Sequence, residues 1–349
     1  MSGVICLDSN YSTMRRITSM PPKVMDVPEA KFKSVLFLPP HPQRKGEGGM
    51  RTQGHFKAGR CYSVPDDSGA GELPLVTVIT SVLNGAETLE QTILSVFGQS
   101  YANIEYIIID AGSADGTLDI IRKHEHAIDY WISEPDGGIY DAWNKGVSCA
   151  SGDWICFLGG DDYFLEEEVL ARIAPFMAAA YPVARLVYGS VAVVNAQKEL
   201  LYVVGEAWKI AKGKLGDIMS VPHPGMLHHR TWFEDYGLFD ISYSIAGDYE
   251  MLLRGWPQEG AVFVPDLVVV GMVQGGVSST PGNAMKQLRE VRRAQKSHGI
   301  ILPGRRLVGA FFRVYMRLVL QAILGERITY RLLDMGRKVL GKKPCWTKI

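Results

Sequence analysis

LVTVITSVLNGAETLEQTILSVFGQSYANIEYIIIDAGS, Leu75 to Ser113, carries two different periods in one stretch. Its opening, LVTVITSVL, is an unbroken apolar and β-branched run, the pattern of a strand buried on both faces. AETLEQTILSVFGQ then sets Leu89, Ile93, Val96 and Phe97 at helix spacing, with Gly98 placed to stop the helix. IEYIIIDAGS is a second buried run, and it ends on a carboxylate, Asp110. A strand, a helix and a strand in so short a space predict a βαβ unit with parallel strands.

The alternation continues. DGTLDIIRKHE reads as a helix, IDYWIS as a strand, GIYDAWNKGVSCASG as a helix and DWICFLG as a fourth strand. This predicts an α/β protein with a mainly parallel central sheet, which binds ligands beyond the carboxyl ends of its strands. Ser81, Asn84, Asp110, Asp161 and Asp162 all fall at or just past such ends. Further on, RLVYGSVAVVN and KELLYVVG predict a hairpin, GDYEMLLRGW a helix, and AVFVPDLVVVGMV one or two strands. NAMKQLREVRRAQKSHG is a charged helix ending at Gly299, and two basic helices follow. Ahead of the first strand, FLPPHPQRKGEGGMRTQGHFKAGR is rich in Pro, Gly and basic residues without a period, although SVLFLP could add one strand. The expected division is an irregular arm over 1–72, the α/β domain over 73–282 and a basic helical region over 283–349.

The bulk properties set limits. With 349 residues, 47% hydrophobic and 21% charged, the chain has the composition of a globular protein with a sizeable core. Its formal charge is zero, so nothing asks for a nucleic acid. From Arg305 onward, however, eleven Lys and Arg face two acids, Glu326 and Asp334, so that tail is net +9 and the rest net −9. Five widely spaced cysteines without a CxxC read as a reducing, cytoplasmic setting with no zinc site. The first residues lack a signal-peptide layout. No apolar run reaches the ~20 residues of a membrane span, because Arg313 and Arg317 interrupt LVGAFFRVYMRLVLQAIL.

The chemistry centres on carboxylates. Asp161 and Asp162 stand side by side after CFLGG, where two oxygen ligands suit Mg²⁺ or Mn²⁺ shared with a phosphate; one of them could equally make an Asx turn or cap a helix starting near Leu165. Asp110 either accepts a hydrogen bond from a nucleotide or serves its own glycine-rich turn, in which Ser113 or Asp115 caps the next helix. Asp248 falls in the first turn of its helix, as a general base or simply as a charge complementing the helix dipole, with Glu250 as competitor. SEPDGGIYDAWNKG adds Asp136, Asp141, Asn144 and Lys145 near another strand end. The histidines of VPHPGMLHHR (His223, His228, His229) read more readily as structural than as metal ligands. No GxGxxG follows the first strand and there is neither a Walker A sequence nor a GxSxG elbow, which argues against a Rossmann dehydrogenase, a P-loop NTPase and a hydrolase.

Taken in order, PLVTVITSVLNGAETLEQTILSVFGQSYANIEYIIIDAGSADGTLDII, SEPDGGIYDAWNKG and GDWICFLGGDD resemble the family-2 glycosyltransferases of the GT-A fold. The resemblance runs closely from Pro74 to Phe164 and more loosely to about Gly271. It implies inverting transfer of a sugar from a nucleotide-sugar donor to an acceptor hydroxyl, of the kind found in bacterial surface-polysaccharide assembly. By position it implies that Ser81 and Asn84 lie near the nucleotide, Asp110 holds the base, Asp161 sits by the ribose, Asp162 binds the divalent cation, and Asp248 is the catalytic base. The adjacent pair departs mildly from the family's usual Asp-x-Asp.

The tail places Arg306, Arg313 and Arg317 beside Phe311, Phe312, Tyr315, Met316 and Leu320, then adds Arg327, Arg331, Arg337, Lys338, Lys342 and Lys343. That pattern predicts helices lying on an anionic membrane surface, peripheral on the inner face and suited to a lipid-linked acceptor, rather than a core pair with a solvated basic face. A nucleotidyltransferase, which would need a basic glycine-rich phosphate loop absent from SVLNGAETL, and a catalytically silent nucleotide-sugar-binding protein are the competing readings.

Overall fold

The computed structural model describes residues 4–22, 27–57, 73–274, 281–339, 341 and 346–348. The expected elements form in the expected order. The arm contributes three short strands, β1 (Ile17–Thr18), β2 (Gly46–Gly48) and β3 (Phe56–Lys57). Then come β4 (Val76–Val82), α1 (Leu89–Phe97), β5 (Ile104–Asp110), α2 (Thr117–His124), β6 (Tyr130–Ser133), α3 (Ile139–Cys149) and β7 (Trp154–Gly159). The second half is β8 (Tyr163–Phe164), α4 (Val169–Ala180), β9 (Leu186–Val194), β10 (Leu200–Val204), α5 (Trp208–Leu215), β11 (Leu227–His229), α6 (Thr231–Tyr236), α7 (Gly247–Gly255) and β12 (Ala261–Val273). Three helices close the chain: α8 (Pro281–Ser297), α9 (Arg305–Leu324) and α10 (Glu326–Val339).

The main sheet runs β2-β6-β5-β4-β7-β11-β9-β12-β8, with β10 beside β9. Its block β6-β5-β4-β7 is parallel throughout. Beyond β7 the sheet is mixed, because β11 runs antiparallel to both β7 and β9, whereas β12 returns parallel to β9. The hairpin of β9 and β10 forms as read. Every residue of β4, β5 and β6 is buried. The strand period of two divides them between two cores. Tyr106 and Ile108 of β5 pack with α1 and α4 on one face, while Ile107 and Ile109 pack with α3 and α7 on the other.

Three expectations need correcting. SVLFLP forms no strand; the arm's edge strand is Gly46–Gly48, antiparallel to β6. Proline at 39, 40 and 42 cannot donate to a ladder, whereas the Gly-Glu-Gly that follows can lie flat beside Trp131, where a Cβ at Gly46 or Gly48 would meet the indole at 2.9 Å or less. The helix after Asp162 begins at Val169, so neither aspartate caps it. Finally, α9 is long and apolar enough to cross a membrane by length and composition, because past Arg305 and Arg306 at its start only Arg313 and Arg317 are charged among many aliphatic and aromatic side chains.

The arm is docked by buried charge. Arg51 is 2% exposed and its Nη2 lies 2.6 Å from Glu105 Oε1 on β5, while Thr77 of β4 donates to Glu105 Oε2 at 2.6 Å. Among the basic residues of the tail, Arg317 is buried against the Trp346 ring, 5.0 Å from its centroid, while Arg306 and Arg313 are exposed. Lys342 and Lys343, and the arm residues 58–72, lie outside the described residues.

Candidate active site

Sheet register brings the predicted residues to one edge. Val82 pairs with Asp110, Asp110 with Ser133, and Ser81 with Gly159, so Ser133, Asp110, Ser81 and Gly159 stand at nearly one level across four parallel strands. Side chains and loops at that level point past the carboxyl ends, where an open α/β sheet offers its binding crevice.

Asp161 and Asp162 follow β7 in a tight reversal. Gly160 N donates to Ser81 O at 3.0 Å, and Asp162 N to Gly159 O at 3.1 Å. Two threonines of the α1 segment hold the loop from the other side: Thr88 Oγ1 donates to Gly160 O at 2.8 Å and Thr92 Oγ1 to Asp162 O at 2.7 Å. Neither glycine has a left-handed backbone; the loop needs them for space. A Cβ on Gly159 would lie 2.8 Å from Asp161 Oδ1 and 3.1 Å from Asp162 Oδ2, and one on Gly160 would lie 2.8 Å from Val82 Cγ2.

The pair is electrostatically unfinished. Asp162 is buried, and among the described residues its carboxylate accepts one hydrogen bond, from the Gly159 N–H at 3.2 Å. Among the described residues neither carboxylate has an ion-pair partner. Burial, reinforced by the neighbouring Asp161 charge, pushes the Asp162 carboxyl up to about 7, and burial raises Asp161 as well. Oxygen-only donors, two charges and no protein cation fit a hard divalent ion that completes its shell with phosphate and water. Among the described residues no group of three or more His, Cys, Asp or Glu is arranged to hold a metal, so such an ion would need ligands from its substrate.

Asp110 is fully buried and already well supplied. It accepts from Ser113 N at 3.0 Å, from Ser133 Oγ at 2.5 Å and from Ser113 Oγ. Asn84, in the left-handed region at φ 51°, ties the neighbouring loop to this turn: its N–H donates to Ser113 Oγ at 2.7 Å and its Oδ1 accepts from Ala114 N at 3.0 Å. Ser113 therefore serves Asp110 rather than a helix, while Asp115 accepts from Thr117 N at 3.1 Å, as a turn residue at the start of α2.

Asp248 stands in the first turn of α7 and is half-buried. It reaches the sheet edge through α3, where Tyr140 Oη donates to Asp248 Oδ1 at 3.3 Å; Tyr140 itself stacks on Phe239, 5.6 Å between centroids. Burial pushes the Asp248 carboxyl up to about 6, against hydrogen bonds from Tyr249 N and Tyr140. Glu250, the competitor, is engaged by Arg254 at 2.6 Å and His298 at 2.9 Å, which leaves Asp248 as the carboxylate with capacity for a proton.

The histidines are structural here. His223 lies between Trp143 and Phe157, at 5.0 and 5.5 Å, and burial holds it well below the usual imidazole range; His228 is held down to about 3 by burial. Sequence reading missed Thr88, Thr92, Tyr140 and Glu290. Glu290 of α8 accepts from Ile245 N at 2.8 Å and Ala246 N at 3.0 Å, fixing the entry to α7. Thr92 carried a signal, as a buried polar residue on the apolar face of α1; Glu290 carried none, since its helix is charged throughout.

The model of Glycosyl transferase family 2 matches residues 77–233. An uncharacterized glycosyltransferase of Mycobacterium tuberculosis is 34% identical over 183 residues, covering 52% of this chain and 68% of that protein. A PGL/p-HBAD biosynthesis glycosyltransferase of Mycobacterium bovis is 30% identical over 212 residues, covering 59% of this chain and 80% of that one. Among solved structures, S. aureus TarS 1–349 superposes with a TM-score of 0.52 at 16% identity, over 73% of this chain and 77% of that one. The mannosyltransferase PcManGT from Pyrobaculum calidifontis, solved with GDP-Man and Mn²⁺, gives 0.50 at 17% identity, over 78% and 82%. At those identities the two structures speak for the fold, which is GT-A.

Proposed function

This chain belongs to glycosyl transferase family 2, and on that premise we propose that it transfers a sugar, with inversion, from a nucleotide-sugar donor to the hydroxyl of a lipid-linked glycan. The observation that carries the donor site is the Asp161–Asp162 pair, two crowded carboxylates without a cation at the carboxyl edge of the parallel strands. Solved neighbours of the same fold bind such donors: TarS with UDP-GlcNAc and PcManGT with GDP-Man and Mn²⁺.

A divalent cation held by Asp162, with Asp161 beside it, would stabilise the charge that builds on the departing diphosphate. Asp110 offers the remaining lone pair of its carboxylate to the donor base, and Ser81 and Asn84 line the approach. Asp248 takes the proton from the acceptor hydroxyl as its oxygen bonds to the anomeric carbon from the face opposite the diphosphate. The old C–O bond breaks as the new one forms, so the configuration inverts and no enzyme nucleophile is needed. Tyr140 orients Asp248 for that transfer.

The acceptor reading rests on the last two helices. α9 leaves Val308, Phe312, Tyr315 and Ile323 exposed, and α10 leaves Ile328, Leu332, Met335 and Val339 exposed, a stripe at helical spacing on each. Arginines flank both stripes. An uncovered apolar stripe with basic margins is the pattern of a helix lying in an anionic interface. A span is disfavoured, because an arginine at mid-membrane costs about 2.5–3.5 kcal/mol on insertion scales, and Arg317 is committed to Trp346. We place the enzyme on the inner face of the membrane, peripherally bound.

The test is a panel of UDP-, GDP- and dTDP-sugars with Mn²⁺ or Mg²⁺, scored for hydrolysis and for transfer to a polyprenyl-linked sugar. One donor should be consumed, with the product anomer opposite to the donor's by NMR. A retained anomer would refute inversion. Asp162→Asn should abolish cation-stimulated turnover; an unchanged rate in that variant would remove the cation site. Turnover by the wild type also excludes a silent binding protein, and pyrophosphate as product would instead indicate a nucleotidyltransferase.

A further inference from the structure

We infer that Lys45 and Arg44, which precede the family-matched residues, are positioning residues for the donor nucleotide. They clamp the two turns that shape the surroundings of Asp110, and the inference rests on the donor-site reading of that residue.

The first turn is 111–113. It leaves β5, turns at Gly112 with φ 81°, and brings Ser113 back onto the Asp110 carboxylate through both its N–H and its hydroxyl. That return turns two carbonyls outward, those of Gly112 and Ser113. Lys45 Nζ caps both, at 2.6 and 3.1 Å. Lys45 is itself exposed. A lysine with four rotatable bonds is normally solvated, and holding its ammonium over two consecutive carbonyls costs side-chain entropy. Its backbone is fixed as well, since Lys45 N donates to Ser133 O at 2.7 Å, and Ser133 Oγ is another donor to Asp110. Lys45 thus holds both sources of hydrogen bonds to Asp110, from opposite sides.

The second turn, 134–136, leaves β6. Glu134 is 4% exposed, its N–H donates to Asp110 O at 3.0 Å, and its carboxylate lies between two cations, Arg44 Nε at 2.8 Å and Lys145 Nζ at 2.9 Å. Against burial, Lys145 and Arg44 hold that carboxyl below its usual range. Arg44 also donates to Pro39 O and to Glu47 Oε2, each at 2.7 Å, so the arm and the turn are one hydrogen-bonded unit. The turns touch each other: a Cβ at Gly112 would lie 3.4 Å from Pro135 N. Lys145 of the matched residues holds the second turn from one side, through Glu134 and Pro135 O at 3.2 Å, and the arm holds it from the open side of β6, where β2 is the neighbouring strand. The arm is therefore part of the donor site and not only a leader into the domain.

The experiment compares wild type, Lys45→Ala, Lys45→Arg and Arg44→Gln in the full chain. It measures binding of UDP and of GDP by calorimetry, steady-state kinetics with the donor found active, and melting temperature. Lys45→Ala should weaken the binding nucleotide and raise donor KM about tenfold, as expected for a lost charged hydrogen bond, with kcat within twofold and melting unchanged. Lys45→Arg should recover most of the affinity, and Arg44→Gln should follow Lys45→Ala with a smaller effect. Unchanged KM and nucleotide affinity in Lys45→Ala would overturn the inference, as would a lower melting temperature without a KM change, which marks a purely structural contact. If the wild type binds neither nucleotide and transfers no sugar, the donor-site reading itself has failed; if it binds and the variants bind equally, only this inference has.

Discussion

Gly159 and Gly160 are adjacent, and the space each leaves is used differently. A methyl at Gly159 meets the ends of two carboxylates, which can swing aside, so Gly159→Ala should alter melting by little and yet cut transfer at least tenfold by displacing Asp161 and Asp162. A methyl at Gly160 meets Val82, a β-branched residue at a strand end that cannot yield, so Gly160→Ala should destabilise the fold by about 1–3 kcal/mol, as overpacking does. Thermal unfolding and turnover, measured on both variants, separate the two costs; equal melting losses would contradict this reading of the loop. Asp248 gives a second prediction. A base must be deprotonated to act, and burial lifts this carboxyl to about 6. The rate should therefore climb as pH rises through about 6 and level off above it. Asp248→Asn should lose about 10²–10⁴ in turnover, keep donor binding, and lack that limb of the profile.

At the level of elements, the parallel half of the fold was legible because each strand there is covered on both faces and reads as an uninterrupted apolar run. β4, β5 and β7 were named to within a residue or two, and with them the level at which Ser81, Asp110 and Asp161 stand. The mixed half was less legible: β11 is only three residues long, Leu227–His229, and two of them are histidines. The arm was the least legible, since β2 is three residues long, two of them glycine, and carries no apolar side chain. What anchors the arm is a long-range ion pair that no local pattern announces. Arg51 and Glu105 are respectively 2% and 0% exposed and 2.6 Å apart. Removing one partner strands the other charge in the core, so Arg51→Ala should cost about 3–5 kcal/mol in chemical denaturation at neutral pH. Arg51 holds the Glu105 carboxyl below its usual range against burial, so its contribution is present above that range and lost as pH falls through the depressed folded value. The cost of Arg51→Ala should shrink in the same direction. A variant as stable as wild type would mean that this ion pair does not hold the arm.

For the molecule as a whole, the balance of zero net charge conceals a division of labour: an acidic catalytic body and a tail of +9 from Arg305 onward. The division has a structural counterpart. α9 is anchored to the body at its start, where Arg306 N and Leu307 N donate to Asp217 at 2.9 and 3.1 Å, and Gln295 Nε2 of α8 donates to Asp217 O at 2.8 Å. The same Gln295 reaches Tyr249 Oη, next to Asp248. A surface bound by α9 and α10 is thus rigidly tied to the helix that carries the proposed base, which is the arrangement needed if a lipid-linked acceptor enters from the bilayer. On the membrane proposal, the basic margins would make binding electrostatic and the apolar stripes would make it partly insensitive to salt. Wild type should sediment with vesicles containing anionic lipid and much less with neutral ones. Raising salt from 0.1 to 1 M shrinks the screening length from about 10 Å to 3 Å and should release part of the bound protein, not all of it. Leu332→Asp with Met335→Asp, both in exposed positions of α10, should abolish the salt-resistant fraction and leave transfer to a water-soluble acceptor unchanged. If those changes instead split a dimer in solution and leave vesicle binding intact, the stripe is covered by a second copy of the chain, and the membrane proposal fails.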